Sequence, residues 1–292
     1  MQWLVILDPI EGLFEATDTS LALIRQARLQ GIEVETATMD LLHFSGQPLV
    51  IGTAEDGTEH CRGLAEYDLI FMRKEPPYDL AFHYATQLLS LSDTPVINSP
   101  EALRNFNEKL IALPFSSHMP PTLVSASPKL IKKFIDQHGS CVIKSLDSFQ
   151  GKSVRRIEPG EDEPIEDFTD GGRSPIMVQQ FLERVYEGDK RVIMLGDRVL
   201  GAAMRKPRSG YHANFASSDA LKTRLTPREQ KIVDDVGPWM VEQGIHFSGL
   251  DFIGEYLTEI NITCPTGIMQ ISKLDETDLS RQIVDYFIEM TR

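Results

Sequence analysis

Trp3–Leu7 is an unbroken apolar run that stops at Asp8-Pro9, so the chain opens with a buried strand rather than a half-exposed one. Thr17-Asp18-Thr19-Ser20 then offers N-caps for a helix reaching about Gln30, and Gly31 follows as its stop. Glu33–Thr38 and Leu69–Met72 read as further strands, Leu80–Leu91 as a helix, and Val96-Ile97 as a strand. Ser99-Pro100 supplies the cap and first turn of another helix. Strands alternating with helices imply a mostly parallel sheet with helices on both faces. Pro120-Pro121 marks a boundary.

Beyond it the texture changes. Cys141–Lys144 and Ser153–Ile157 read as strands around the loop Ser145–Lys152, and Glu158–Ser174 as an acidic, solvated insertion. Ile176–Gln180, Arg191–Leu195 and Val199–Met204 add strands, the last two around Gly196-Asp197. Residues 206–224 are polar and without period, a long loop of the kind that often serves as a lid. Thr226-Pro227-Arg228-Glu229 is a capping box that starts a helix, and a last helix covers roughly Leu279–Met290. The expected organisation is an N-terminal α/β domain over 1–120, a small α+β domain over 121–188 and a larger α+β domain over 189–292.

Bulk properties narrow the function. With 292 residues, 41% of them hydrophobic, the chain can bury one large core or two to three modest ones. A net charge of −14 disfavours nucleic acid and anionic lipid as partners, while leaving room for a local basic pocket. Cys61, Cys141 and Cys264 are odd in number and lack metal-ligand spacing, which suits a reducing cytoplasm. The N-terminus lacks the pattern of a signal peptide, and no run approaches transmembrane length. A soluble cytoplasmic protein is expected.

The sharpest local chemistry lies in Gly249-Leu250-Asp251-Phe252-Ile253 and Leu257-Thr258-Glu259-Ile260-Asn261. Glu259 and Asn261 are two apart and share a strand face. A hairpin with the three-residue turn Gly254-Glu255-Tyr256 places Asp251 opposite Glu259 on that face. Facing carboxylates repel unless a cation lies between them, and magnesium suits an all-oxygen set completed by water and phosphate. Taken alone, the pattern equally suits the polar face of an exposed hairpin.

Lys144 ends a buried strand, where an ammonium can meet a phosphate. Arg191 and Arg205 lie at strand ends. Each alone reads as a solvated cation; with the acidic hairpin they make the parts of a phosphoryl-transfer site. There is no Walker P-loop, kinase signature, H-E-x-x-H or G-x-S-x-G motif. The loop Ser148–Ser153, with Gly151, suits either backbone cover over phosphates or a plain strand connection.

A set of motifs then resembles the prokaryotic glutathione synthetase family, in order and along nearly the whole chain. They are Asp8-Pro9-Ile10, Met72–Asp79, Asn107-Glu108-Lys109, Val142-Ile143-Lys144, Gly188–Val192, Gly249-Leu250-Asp251 and Thr258–Gly267. The resemblance implies an ATP-grasp fold: an N-terminal parallel-sheet domain and two α+β subdomains that clasp ATP. It implies ATP-dependent condensation of γ-glutamylcysteine with glycine through an acyl phosphate, with magnesium or manganese, in a homo-oligomer (dimer or tetramer). Lys109 and Lys144 then face the nucleotide, as do Gly151 and Asn261. Gln179, Gln180, Phe181 and Leu182 form the adenine linker, and Asp189 is the ribose-side acid. Arg191 and Arg205 stabilise phosphate and acyl phosphate. Asp251, Glu259 and Asn261 hold the metal, and Arg73 and Asn214 face substrate. Departures are Glu75 in place of an Asp, a phosphate loop poor in glycine, and His212-Ala213-Asn214 in place of Arg-Gly-Asn. A related carboxylate–amine ligase with other substrates, or a non-catalytic ATP-binding protein, are the alternatives.

Overall fold

The computed structural model describes residues 1–147, 154–212, 214, 215 and 217–292; Gly151 lies outside them. The first sheet holds β1 (Gln2–Ile6), β2 (Glu33–Ala37), β3 (Leu42–Phe44), β4 (Pro48–Thr53), β5 (Glu59–Gly63), β6 (Leu69–Met72) and β7 (Val96–Ile97). Its order is β3-β4-β2-β1-β6-β7, with β5 on β4. Strands β2, β1, β6 and β7 are parallel, as the alternation with α1 (Thr19–Leu29), α2 (Leu80–Leu89) and α3 (Pro100–Asn105) requires. Asp18 caps α1 and Ser99 caps α3, with Pro100 in its first turn. The antiparallel strands β3, β4 and β5 are an addition to the expected pattern. They are short and half exposed, so no apolar run announces them.

The second sheet holds β8 (Thr122–Ser125), β9 (Cys141–Ser145), β10 (Val154–Ile157) and β11 (Ile176–Gln180), all antiparallel, in the order β10-β9-β11-β8. Helix α4 (Pro128–His138) covers one face, and α5 (Glu163–Phe168) packs beside it. Glu158–Ser174 is therefore not simply a solvated insertion. Its acidic residues face water, while Pro164, Ile165 and Thr169 are buried against the sheet.

The third sheet is antiparallel, with β12 (Asp189–Leu195), β13 (Arg198–Pro207), β14 (Ser218–Lys222), β15 (Phe247–Ile253) and β16 (Tyr256–Asn261) in the order β14-β13-β12-β15-β16. Helices α6 (Pro227–Glu242), α7 (Ile268–Asp275) and α8 (Leu279–Met290) follow. The long loop expected over 206–224 is shorter: β13 runs to Pro207 and pairs with β14, leaving 208–217 between them. The polar residues of β14 hid a strand, because an edge strand half in water needs little apolar surface.

Two hydrophobic clusters run from the first sheet into the third. One joins Leu4, Ile6 and Phe82 to Val192, Leu250 and Ile260. The other joins Trp3, Val5 and Phe71 to Ile193, Phe247 and Phe287. The second sheet has its own cluster, built from α4, α5 and its inward strand residues. Asn98 stitches first to third sheet: its amide nitrogen donates to the carbonyls of Phe247 and Ile262, and its amide oxygen accepts from the N–H groups of His246 and Phe247.

Candidate active site

Strand register alone assembles the floor. Asp189 and Arg191 are two apart on β12 and share a face. Asp189 pairs across with Arg205, Arg191 with Asp251, and Asp251 with Glu259; the next row places Gly249 opposite Asn261. The Asp251–Glu259 opposition arises differently from expectation. The turn is the two residues Gly254-Glu255, with Ile253 opposite Tyr256, and a bulge between Asp251 and Phe252 restores the register. Thr258, at the bulge, donates its hydroxyl to the Asp251 carbonyl at 3.0 Å.

The row is a buried lattice of alternating charge. Arg191 grips Asp251 with two nitrogens, Nε to Oδ1 at 2.5 Å and Nη2 to Oδ2 at 2.9 Å. Arg205 Nη2 lies 2.6 Å from Asp189 Oδ2 and 3.0 Å from Asp251 Oδ2. Burial raises the Asp251 carboxyl, but the two guanidiniums more than offset it and hold it at about 2. At Asp189 burial dominates: with the charge of Asp251 it lifts the carboxyl to about 7 despite Arg205. Asp189 Oδ1 is buried without a hydrogen-bond partner among the described residues.

Gly249 makes the lattice possible. A Cβ there would stand 3.1 Å from Cδ of Arg191 and 3.3 Å from its Nε, so the arginine reaches Asp251 only across a bare backbone.

The second sheet forms the facing wall. Lys144 lies between Val154 and Met177, and Val142 beside Gln179. Burial pushes the Lys144 ammonium below its ordinary range; Lys109 adds repulsion, opposed by Glu259, Asp189 and Asp251. Lys109 Nζ lies 3.8 Å from Glu259. Gln179 is held by its amide on Thr122, and Phe181 by its N–H on the Ser140 carbonyl. Lys109, Val142, Lys144, Val154, Gln179 and Phe181 line one cavity of about 260 Å³ with Asp189, Arg191, Arg205, Asp251, Glu259 and Asn261, together with Gln180, Leu182 and Asn214.

Of the expected residues, Arg73 departs. It is fully buried, 1% exposed, and does not line the cavity. Its guanidinium lies over the rings of Phe71 and Phe247 and donates to Ser20 Oγ and the Pro265 carbonyl. Its Nη1 is buried with no hydrogen-bond partner among the described residues. The structure also adds residues. Glu108 Oε1 accepts from Ile262 N–H, Thr263 N–H and Thr263 Oγ1, fixing the chain just past Asn261. Burial raises its carboxyl despite these donors. Its sequence signal was its place between Asn107 and Lys109; nothing local distinguished it from a surface glutamate.

Comparison with known proteins completes the picture. The model of the prokaryotic glutathione synthetase N-terminal domain matches residues 1–104, and that of the prokaryotic glutathione synthetase ATP-grasp domain matches 108–276. The chain belongs to the prokaryotic glutathione synthetase family. The glutathione synthetase of Gloeobacter violaceus is 39% identical, covering 100% of this chain and 98% of its own. That of Synechocystis sp. is 35% identical, covering 97% and 98%. Among solved structures, D-cycloserine synthetase DcsG shares 15% identity at TM-score 0.74, covering 99% of this chain and 100% of its own. The ATP-grasp ligase PsnB with its minimal precursor shares 17% at 0.68, covering 98% of each. These likenesses establish the ATP-grasp fold, and the family makes the chain an ATP-dependent ligase. Among the described residues, no helix is long and apolar enough to cross a membrane.

Proposed function

We propose that this ligase joins γ-glutamylcysteine to glycine with ATP, through an acyl phosphate, using the lattice centred on Asp251. Full-length likeness to glutathione synthetases supports the substrate pair. The observation that carries the chemistry is the register Arg205–Asp189 beside Arg191–Asp251–Glu259, which gathers cations and carboxylates on one cavity wall. The dipeptide carboxylate attacks the γ-phosphorus of ATP, and ADP leaves. The glycine amine then attacks the acyl carbon and expels phosphate. Lys109 and Lys144 meet phosphate oxygens; Gln179, Gln180, Phe181 and Leu182 flank the adenine; the unpartnered Asp189 oxygen suits a ribose hydroxyl. Arg191 and Arg205 face the charge that builds on the transferred phosphoryl group. Asn214 lines the substrate end.

The residues fit a magnesium ion. Two guanidiniums favour the charged form of Asp251, Glu259 stands opposite it, and Asn261 shares the Glu259 face, its amide nitrogen donating to Asp251 Oδ2 at 3.3 Å. No three acidic, histidine or cysteine groups converge among the described residues, so Asn261 would join the two carboxylates, with water and phosphate oxygens in the remaining positions. Held there, a magnesium ion would supply positive charge against the phosphate oxygens.

The three-part division at 120 and 188, a reducing cytoplasm and a dimer or tetramer belong to the same reading. The three free cysteines and the exposed Leu80, Tyr84 and Leu91 around α2 support the last two. ADP release against a panel of γ-glutamyl dipeptides and amino-acid acceptors tests the substrates. Turnover that requires both γ-glutamylcysteine and glycine supports the proposal; preference for another pair refutes it.

A further inference from the structure

Asn107, Glu108 and Lys109 follow one another just past α3, and each reaches a different part of the cavity's frame. Glu108 faces the outer edge of β16, the last strand of the third sheet. An edge strand has no neighbour to receive its outward N–H groups. Here Glu108 stands in for one. Its backbone carbonyl accepts the Ile260 N–H at 3.3 Å. Its Oε1 accepts the N–H groups of Ile262 at 2.8 Å and Thr263 at 2.9 Å, and the Thr263 hydroxyl at 2.8 Å. Ile260 and Ile262 alternate with Glu259 and Asn261 along the chain, so holding the first pair by its N–H groups fixes the strand that presents the second pair.

Asn107 works on the opposite side. Its Oδ1 accepts the N–H groups of Lys109 at 3.0 Å and Leu110 at 3.3 Å, which fixes the turn that carries Lys109. Its Nδ2 donates at 2.7 Å to the carbonyl of Leu146, just past the end of β9 that bears Lys144. One amide group therefore ties the turn bearing one lysine to the strand end bearing the other. Lys109 and Lys144 line the main cavity; Asn107 and Leu146 line a neighbouring one of about 190 Å³, which shares Glu108 and Lys109 with it.

We propose that Asn107 and Glu108 are positioning residues with separate duties: Asn107 sets the spacing of Lys109 and Lys144, and Glu108 sets where Glu259 and Asn261 stand. The proposal rests on the ligase reading above for what those four side chains hold. Asn107 then bears on nucleotide binding with or without metal. Glu108 bears on the added affinity that magnesium gives.

The test uses the full chain with Asn107→Asp, Glu108→Ala and Glu108→Gln, beside Glu259→Gln as a control. Affinity for a non-hydrolysable ATP analogue is measured by calorimetry in chelator and in magnesium, and the ratio of the two is the magnesium response. Amide exchange at Ile260, Ile262 and Thr263 is followed by NMR, and unfolding by circular dichroism. Asn107→Asp keeps the acceptor for the Lys109 turn and sets a carboxylate oxygen against the Leu146 carbonyl. Analogue binding then weakens about fivefold in chelator and magnesium alike, the worth of one net hydrogen bond. Glu108→Ala speeds exchange at the three amides and cuts the magnesium response, each by about fivefold or more, while binding in chelator stays within about twofold. Glu108→Gln removes the same charge but keeps an oxygen for the strand, so it shows smaller shifts in the same direction; that recovery separates position from electrostatics, and it reads the proposal if the alanine variant does not fold. Faster exchange with a parental magnesium response makes Glu108 a brace for the fold alone and overturns its duty. An Asn107→Asp protein that binds the analogue as the parent does, or weakens only in magnesium, overturns the other. If Glu259→Gln leaves the magnesium response unmoved, the metal reading fails and takes the Glu108 assignment with it. None of these readouts uses the dipeptide or glycine, so failure of that substrate pair is a separate result.

Discussion

Gly249→Ala isolates the role of the charge lattice, because it adds one methyl group and removes no charge. The new Cβ would stand 3.1 Å from Arg191 Cδ and 3.3 Å from Nε and Nη1. Ordinary contact is wider by a few tenths of an ångström, so the arginine must lift. It cannot lift freely: two nitrogens are fixed on Asp251, and Nη1 donates to the Thr266 carbonyl at 3.2 Å. Losing one charge-assisted hydrogen bond costs about 1.5–3 kcal/mol. Falling on the phosphoryl-transfer transition state, that is about a tenfold to 150-fold loss in kcat. Stability moves the other way: alanine in a strand recovers about 0.5–1 kcal/mol of backbone entropy over glycine, which offsets the crowding. The expected variant therefore melts within a few degrees of the parent, yet turns over at a small fraction of its rate. Coupled ADP release under saturating substrates, beside thermal unfolding by circular dichroism, reads both. A folded Gly249→Ala enzyme with parental kcat would show that Arg191 need not lie across that backbone to act.

Other outcomes follow from the same geometry. Glu259→Gln should abolish ligation at ordinary magnesium while leaving the fold intact, since the cation loses charge as well as a ligand; normal turnover would remove Glu259 from the metal set. Lys144→Met keeps the stem and deletes the charge, so ATP affinity should fall by about tenfold to 150-fold, the worth of one charged hydrogen bond; unchanged binding by calorimetry would contradict the assignment. Far from the cavity, the buried Glu35 carboxylate accepts hydrogen bonds from Tyr67, His60, Arg62 and Gln2. Burial raises its pKa, but these donors outweigh that and set it below the ordinary value. A depressed carboxyl lends stability that is present above its unfolded pKa of about 4.3 and is lost as pH falls through the lower folded value. Glu35→Gln should therefore be less stable at neutral pH and should lose less on acidification below about pH 4; a parallel acid profile for the two proteins would refute the linkage.

The acidic hairpin was legible because strand alternation is strictly two residues, so Glu259 and Asn261 had to share a face whatever surrounded them. Its register was legible for a less secure reason. A shorter turn and a bulge cancel, and Asp251 meets Glu259 all the same. The charge lattice was only partly legible: Arg191 and Arg205 were visible as cations at strand ends, but their pairing with Asp251 and Asp189 depends on strands 16 to 60 residues away. Arg73 was visible in its motif, but its burial was not. A charged residue in a motif reads as a ligand contact, yet two aromatic rings from β6 and β15 make a buried seat for it. Strands β3 to β5 and helix α5 escaped because half-exposed elements carry little hydrophobic period. Tyr211 and Phe215 line the cavity from a stretch without period, where nothing in the sequence set them apart.

The shared cores of the first and third sheets, with Asn98 stitched between them, bear on how the enzyme works as a mechanical object. The bed that carries Arg191, Arg205, Asp251 and Glu259 is continuous with the N-terminal half, so the row of charges is set in place when those two sheets close on each other. The sheet that holds Lys144 has a core of its own on the side of α4 and α5, and joins the shared core through Met177.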